Sequence, residues 1–311
     1  MLNREVKDIE LKKGMSALDI VNAMGASGGF TAKKVADGVD ILHEMIESKS
    51  FNFLSFPACI IATGARGVIR EMLKEKWFGA VITTCGTIDH DLARAWSKYY
   101  HGDFMLDDAE LHRKSINRLG NVLIPYNNYG KVIEDKVQPI LKELWDQGRR
   151  SMTTRDLLWE FGKRIESEDS LLHWCYRNKI PMFVPGITDG AFGSQLWSFW
   201  QDHRAFAIDV LGDENLLADI AFTQERTGAL VIGGGISKHH LIWWNQFKGG
   251  LDYAVYITTA QEYDGSLSGA MTREAVSWGK VHEGARHVTI EADATTVLPL
   301  MVVALMEKSK D

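Results

Sequence analysis

The stretch Ala229-Leu230-Val231-Ile232-Gly233-Gly234-Gly235-Ile236 reads as a strand that ends on three glycines and turns into a helix carrying Lys238, His239 and His240. Its apolar run suits a strand covered on both faces, which is the pattern of a parallel sheet. The glycines admit two readings. They allow backbone amides to approach a phosphate at a helix N-terminus, or they form a tight strand-to-helix turn. The spacing is not G-x-G-x-x-G and does not choose between them.

Outward from this stretch the same pattern recurs. Apolar runs at Pro57–Ala62, Ala80–Thr84, Pro181–Val184, Phe206–Val210, Tyr253–Thr258 and Val288–Glu291 each end at a turn signal. Between them the spacing is helical, as in Val68, Met72, Leu73 and Trp77, or in Leu216, Leu217, Ile220 and Ala221. Alternating strand and helix predict an α/β fold: a doubly wound, mostly parallel Rossmann-like sheet with helices on both faces. Residues 97–167 lack a convincing buried strand and predict a helical insertion, with a helix over Val132–Trp145. The expected organisation is an N-terminal segment, 1–28, followed by a single domain, 29–311.

Composition narrows the function. With 41 Asp plus Glu against 35 Lys plus Arg the formal charge is -6, which excludes a nucleic-acid binder driven by bulk basic charge. No stretch approaches the roughly 18 apolar residues of a membrane span. The beginning of the chain alternates charged and apolar residues, unlike a secretory signal, and predicts a cytoplasmic protein. The 3 cysteines, Cys59, Cys85 and Cys175, form no C-x-x-C pair, so free thiols are expected and a thiolate metal site is not.

Candidate ligand groups cluster just after the strands, where an open α/β sheet binds its ligand. Asp293-Ala294 lies between the last strand and the C-terminal helix, as an N-cap, a ribose-binding acid, or both. Thr188-Asp189-Gly190 is a turn or a ligand contact. Thr84-Cys85-Gly86 begins a helix that carries Asp89-His90-Asp91. Adjacent helical residues diverge by about 100°, so no metal is expected there. The long polar loop Ala260–Ala270 precedes Glu274-Ala275-Val276-Ser277-Trp278-Gly279-Lys280. Lysines near helix ends are ordinarily solvated, whereas one beside an indole can be a desolvated nucleophile. The other tryptophans, including Trp197, Trp200 and the pair Trp243-Trp244, are expected to serve packing.

Together these residues resemble the deoxyhypusine synthase family. The likeness runs from Gly29-Phe30-Thr31-Ala32 through Asn117-Arg118-Leu119-Gly120-Asn121, Thr188-Asp189-Gly190, the glycine turn with Lys238-His239-His240, and Asp252-Tyr253-Ala254-Val255-Tyr256-Ile257 to Glu274–Lys280. The last string is highly specific. The resemblance implies an NAD-dependent transferase that passes the aminobutyl group of spermidine, through an imine on Lys280, to a lysine of the precursor of translation initiation factor 5A. It implies Lys280 and His239 as catalytic groups. NAD contacts carry over to Thr84, Cys85, Gly86, Asp189, Gly234, Thr259, Ala260, Asp293 and Ala294. Substrate contacts carry over to Asp89, His239, Asp264, Gly265, Ser266, Glu274 and Trp278. It further implies a homotetramer.

The sequence departs from eukaryotic members at His90, Ser194 and Leu267, where acidic residues anchor the polyamine, and at Ala62–Gly67. The pattern looks like prokaryotic branches of the family. These departures leave room for a small-amine acceptor, as in a homospermidine synthase-like enzyme. Further alternatives are a non-catalytic NAD-binding partner of translation and, more distantly, a metal-dependent hydrolase using Asp89, His90 and Asp91.

Overall fold

The computed structural model describes residues 4–309 and divides into two compact units. Among the described residues, one comprises 4–56, 77–79 and 218–309, the other 57–76 and 80–217. The fold is mixed α/β.

The first unit is built on four strands, Phe51–Ser55, Thr227–Ile232, Leu251–Thr258 and Val281–Glu291. They are neighbours in the order last, third, second, first, and every pairing is parallel. Thr227–Ile232 is buried along its whole length, in accord with its unbroken apolar run. Parallel neighbours put their carboxyl ends on one edge. That edge carries Gly233 after Ile232, Thr259 after Thr258, and Asp293 shortly after Glu291. The C-terminal helix Ala294–Lys308 begins where the Asp293 carboxylate accepts from the backbone N–H of Thr296, and it buries Leu298, Met301, Val302 and Leu305. The helix Ala17–Ser27 starts on a capping box formed by Ser16 and Asp19.

The second unit holds the parallel pair Ala80–Ile82 and Met182–Phe183. It also has a three-stranded antiparallel sheet, Tyr100–His101, Val122–Pro125 and Ile116–Leu119, and a short parallel pair, Ser151–Met152 with Ala207–Ile208. The helices Gly130–Asp146 and Ala191–Asp202 belong here.

Three expectations are corrected. Pro57–Ala62 is not a strand: Cys59–Ala62 is a helical turn, and the strand precedes it at Phe51–Ser55. A short apolar run has the same composition in either state. Phe206–Val210 contributes only Ala207–Ile208, paired with Ser151–Met152 outside the first unit's sheet. The insertion is not purely helical, since it contains the hairpin Ile116–Leu119 and Val122–Pro125. Its long helix covers the expected Val132–Trp145.

Candidate active site

Lys280 is aimed by a helix end. The helix Thr272–Ser277 stops at Trp278, and Gly279 takes φ +66°, the left-handed conformation that glycine adopts without a Cβ penalty. The Gly279 N–H then donates to the Val276 carbonyl and the Lys280 N–H to that of Ala275, a six-to-one closure that satisfies the last helical carbonyls. Lys280 thus sits at the head of the strand Val281–Glu291, held also by the Leu251 N–H donating to its carbonyl.

The side chain of Lys280 points into a cavity of about 270 Å³ in the first unit. Lys280 is 8% exposed. Its amine lies 5.1 Å from the centre of the Trp278 ring and 5.9 Å from that of Trp243. Glu274 supplies the carboxylate in the lining, which is otherwise largely apolar through Ile242, Leu267, Met271 and Ala275. A pocket of this kind pairs a single acid with π-faces for cation recognition.

His239 lines the same cavity. Burial first, and then the positive charge of Lys280, hold its imidazole below the ordinary histidine range. At neutral pH it is therefore an uncharged ring able to accept a proton.

Lys238, its neighbour in sequence, is 2% exposed. Its amine donates to the carbonyls of Leu267 (2.8 Å) and Ala270 (2.5 Å) and lies 4.4 Å from the centre of the Tyr256 ring. Burial pushes it down to about 8, partly countered by Glu274. It fastens the loop that follows the strand Leu251–Thr258. In the same loop the Asp264 carboxylate accepts from the Ser266 N–H, and its own turn holds it below the ordinary carboxylate range, through hydrogen bonds from Ser266. Gly265 has φ +71°, and the Ser266 carbonyl accepts from Gly269 and Ala270. Asp264, Gly265 and Ser266 thus shape the loop, while Leu267 is the residue that enters the lining.

The expected cofactor residues form one group in each unit. In the first, Gly234 lies where a Cβ would meet Ser268 Cα and Oγ at 2.4 Å, so only glycine fits under that loop. Thr259 and Ala260 follow the next strand, with the Ala260 N–H donating to Thr258 Oγ1. At Asp293 the cap bonds fall on Oδ1, leaving Oδ2 outside the cap. Capping and ribose binding are therefore compatible at this residue. These four residues, with Ala294, lie at the carboxyl edge of three neighbouring parallel strands, which suits a dinucleotide.

In the second unit Thr84, Cys85 and Gly86 open the helix Cys85–Trp96 after one strand of the parallel pair, and Asp189 follows the other. Cys85 is buried, and desolvation pushes its thiol up to about 12, so it is unreactive. Asp89, expected at the substrate, is 1% exposed. Its oxygens accept from Tyr129 Oη (2.8 Å) and from the N–H groups of Ala191 (2.9 Å) and Phe192 (2.7 Å). It is the anchor for the N-terminus of the helix Ala191–Asp202. His90 is buried, bonded to Tyr99 Oη and pushed down to about 4 by desolvation, so it stays neutral.

A family model for deoxyhypusine synthase matches residues 19–305. The chain belongs to the deoxyhypusine synthase family. A relative from Picrophilus torridus, described as "Probable deoxyhypusine synthase", is 53% identical over 99% of this chain and 98% of its own. One from Thermoplasma acidophilum, described in the same words, is 50% identical over 98% of each. A crystal structure from Entamoeba histolytica assigned to deoxyhypusine synthase shares the fold, with a TM-score of 0.66 at 20% identity over 97% of each chain. The string Glu274–Lys280 that carried the family likeness is the helix end that delivers Lys280. Lys238, Trp243 and Tyr256 also line the cavity; the sequence reading gave none of them a site role and assigned Trp243 to packing. His239 and Trp243 stand four residues apart on one helix, so they share a face, and that spacing was the available signal.

Proposed function

We propose that this chain is a working deoxyhypusine synthase: it moves the aminobutyl group of spermidine through an imine on Lys280 to a lysine of the precursor of translation initiation factor 5A. The observation that carries the reading is Lys280 itself, a lysine 8% exposed, facing two indoles in a cavity lined by one carboxylate. An amine shielded from water beside aromatic faces is a suitable partner for a carbonyl-like carbon. Glu274 holds a free ammonium of the polyamine, Trp278 covers the reacting carbon, and neutral His239 accepts and returns the proton as imines exchange.

Bound NAD would supply reversible hydride chemistry at the carbon beside the donor's secondary amine. The first unit's edge, Gly234, Thr259, Ala260, Asp293 and Ala294, fits that nucleotide, and the family likeness also assigns Thr84, Cys85, Gly86 and Asp189 to it. We assign the enzyme to the cytoplasm, where the free thiols Cys59, Cys85 and Cys175 remain reduced. No helix among the described residues is long and apolar enough to cross a membrane. A homotetramer is proposed on the family likeness. The exposed rings of Tyr263, Trp278 and Phe247 are the aromatic surface such contacts favour.

The test incubates the protein with NAD and labelled spermidine, reduces with borohydride, and maps the label with and without the precursor protein. Label on Lys280 that passes to the precursor is expected. Label that passes only to a small amine, or none on Lys280, would overturn the reading. Sedimentation of a fully active monomer would overturn the tetramer.

A further inference from the structure

The helix Gly235–Gln246 runs into Phe247 and brings three rings into one row: His239, Trp243 and Phe247. His239 stacks on Trp243 with centroids 5.7 Å apart and planes 24° apart, and Phe247 meets Trp243 edge-on at 5.8 Å. Residues four apart on a helix are neighbours, so each ring braces the next. Trp243, held from both sides, has its indole 5.9 Å from the Lys280 amine. Among the described residues Lys280 has no ion pair; its amine faces the Trp243 and Trp278 rings, with His239 near enough for the Lys280 charge to lower its imidazole.

We propose that Trp243 is a positioning residue for Lys280, keeping its amine, and the cationic imine formed on it, against an indole face and away from water. The inference rests on the imine chemistry proposed above. In that step the free Lys280 amine attacks the imine carbon of the oxidised donor. The bond from that carbon to the diaminopropane nitrogen breaks, the proton passes to the leaving amine, and carbon remains doubly bonded to the lysine nitrogen. Water competes for that carbon: its oxygen adds, the carbon–nitrogen bond breaks, and the products are the Lys280 ammonium and an aminoaldehyde. A ring that stabilises the cation and covers it slows this loss. A desolvated cation–π contact corresponds to roughly tenfold or more in an equilibrium constant.

The test separates this inference from the donor. Butanal and cyanoborohydride are added to wild type, Trp243→Phe and Trp243→Leu, and Lys280 occupancy is read by peptide mass mapping, with surface lysines of the same digest reporting on folding. Trp243→Phe should label almost as wild type, and Trp243→Leu roughly tenfold less. Trp243→Met, which also lacks a ring, repeats the test should the leucine protein unfold, with folding read by circular dichroism. No loss in the leucine protein, or equal loss with and without a ring, overturns the proposal. If spermidine with NAD leaves wild-type Lys280 unlabelled while butanal still labels it in a Trp243-dependent way, the donor reading fails and the role of Trp243 stands.

Discussion

Replacing Lys238 with methionine should change how stability depends on pH. The amine of Lys238 is buried and donates to the carbonyls of Leu267 and Ala270, and burial lowers it from the ordinary lysine value of 10.5 to about 8. Between those values the unfolded chain binds a proton that the folded chain does not, so stability rises with pH across that window. At about 1.4 kcal/mol per unit, Lys238 gives roughly 2–3 kcal/mol of added stability between about pH 7 and pH 10. Near pH 7 the substitution removes a costly buried charge but strips two carbonyls of a donor, at about 1–3 kcal/mol each. The two effects nearly offset. Near pH 10 only the second remains, and Lys238→Met should be less stable than wild type by roughly 2–3 kcal/mol. Urea unfolding of both proteins at the two pH values isolates this residue, because every other titrating group cancels in the difference. A wild-type minus variant difference that stays constant with pH would refute the reasoning. Hydrogen exchange should also quicken in the variant at Gly269 and Ala270, whose N–H groups donate to the Ser266 carbonyl within the fastened loop.

Gly279→Ala meets nothing within 4 Å but must hold φ +66°, a cost of about 1–2 kcal/mol. A fall in Tm of a few degrees and weaker borohydride labelling of Lys280 are expected, with Gly279→Asn closer to wild type; unchanged labelling in the alanine protein would separate the turn from the aim of the lysine. Gly234→Ala drives a Cβ into Ser268 at 2.4 Å and should weaken NAD binding, measured by calorimetric titration, by tenfold or more, about 1.4 kcal/mol. Ser268→Gly should not rescue it, because Ser268 Cα is among the atoms struck; undiminished affinity would remove Gly234 from the nucleotide edge. Asp89→Ala leaves Tyr129 Oη and two backbone N–H groups without their acceptor and should cost about 3 kcal/mol or more, against about 1 kcal/mol for Tyr129→Phe. Loss of spermidine affinity in Asp89→Asn at unchanged stability would instead return Asp89 to the substrate.

What the sequence could convey depended on whether one physical cause dominated a segment. Thr227–Ile232 is buried throughout, so hydrophobicity alone marked it. Phe51–Ser55 escaped because Asn52 and Ser55 look like surface residues, yet Asn52 is buried. Its Nδ2 donates to the Trp77 carbonyl and its Oδ1 accepts from Ser50. A polar group whose partners lie elsewhere in the chain has an interior cost that no local pattern reveals. The same cause explains the uneven reading of the site. Lys280 stood out only through the family resemblance, since its position near a helix end reads as a solvated lysine; the structure adds that helix, αL glycine and lysine are contiguous, so the device that aims the side chain lies in one string. Asp89 presented as a ligand acid because only the fold shows that Tyr129 and the start of the helix Ala191–Asp202 claim its oxygens. Trp243 presented as packing because its partner Lys280 is distant in sequence, and an indole facing a lone amine has the composition of an indole in a core. Groups defined by contiguous geometry therefore transfer from sequence to site, whereas groups defined by a distant charge or donor acquire their role only when the chain closes on them.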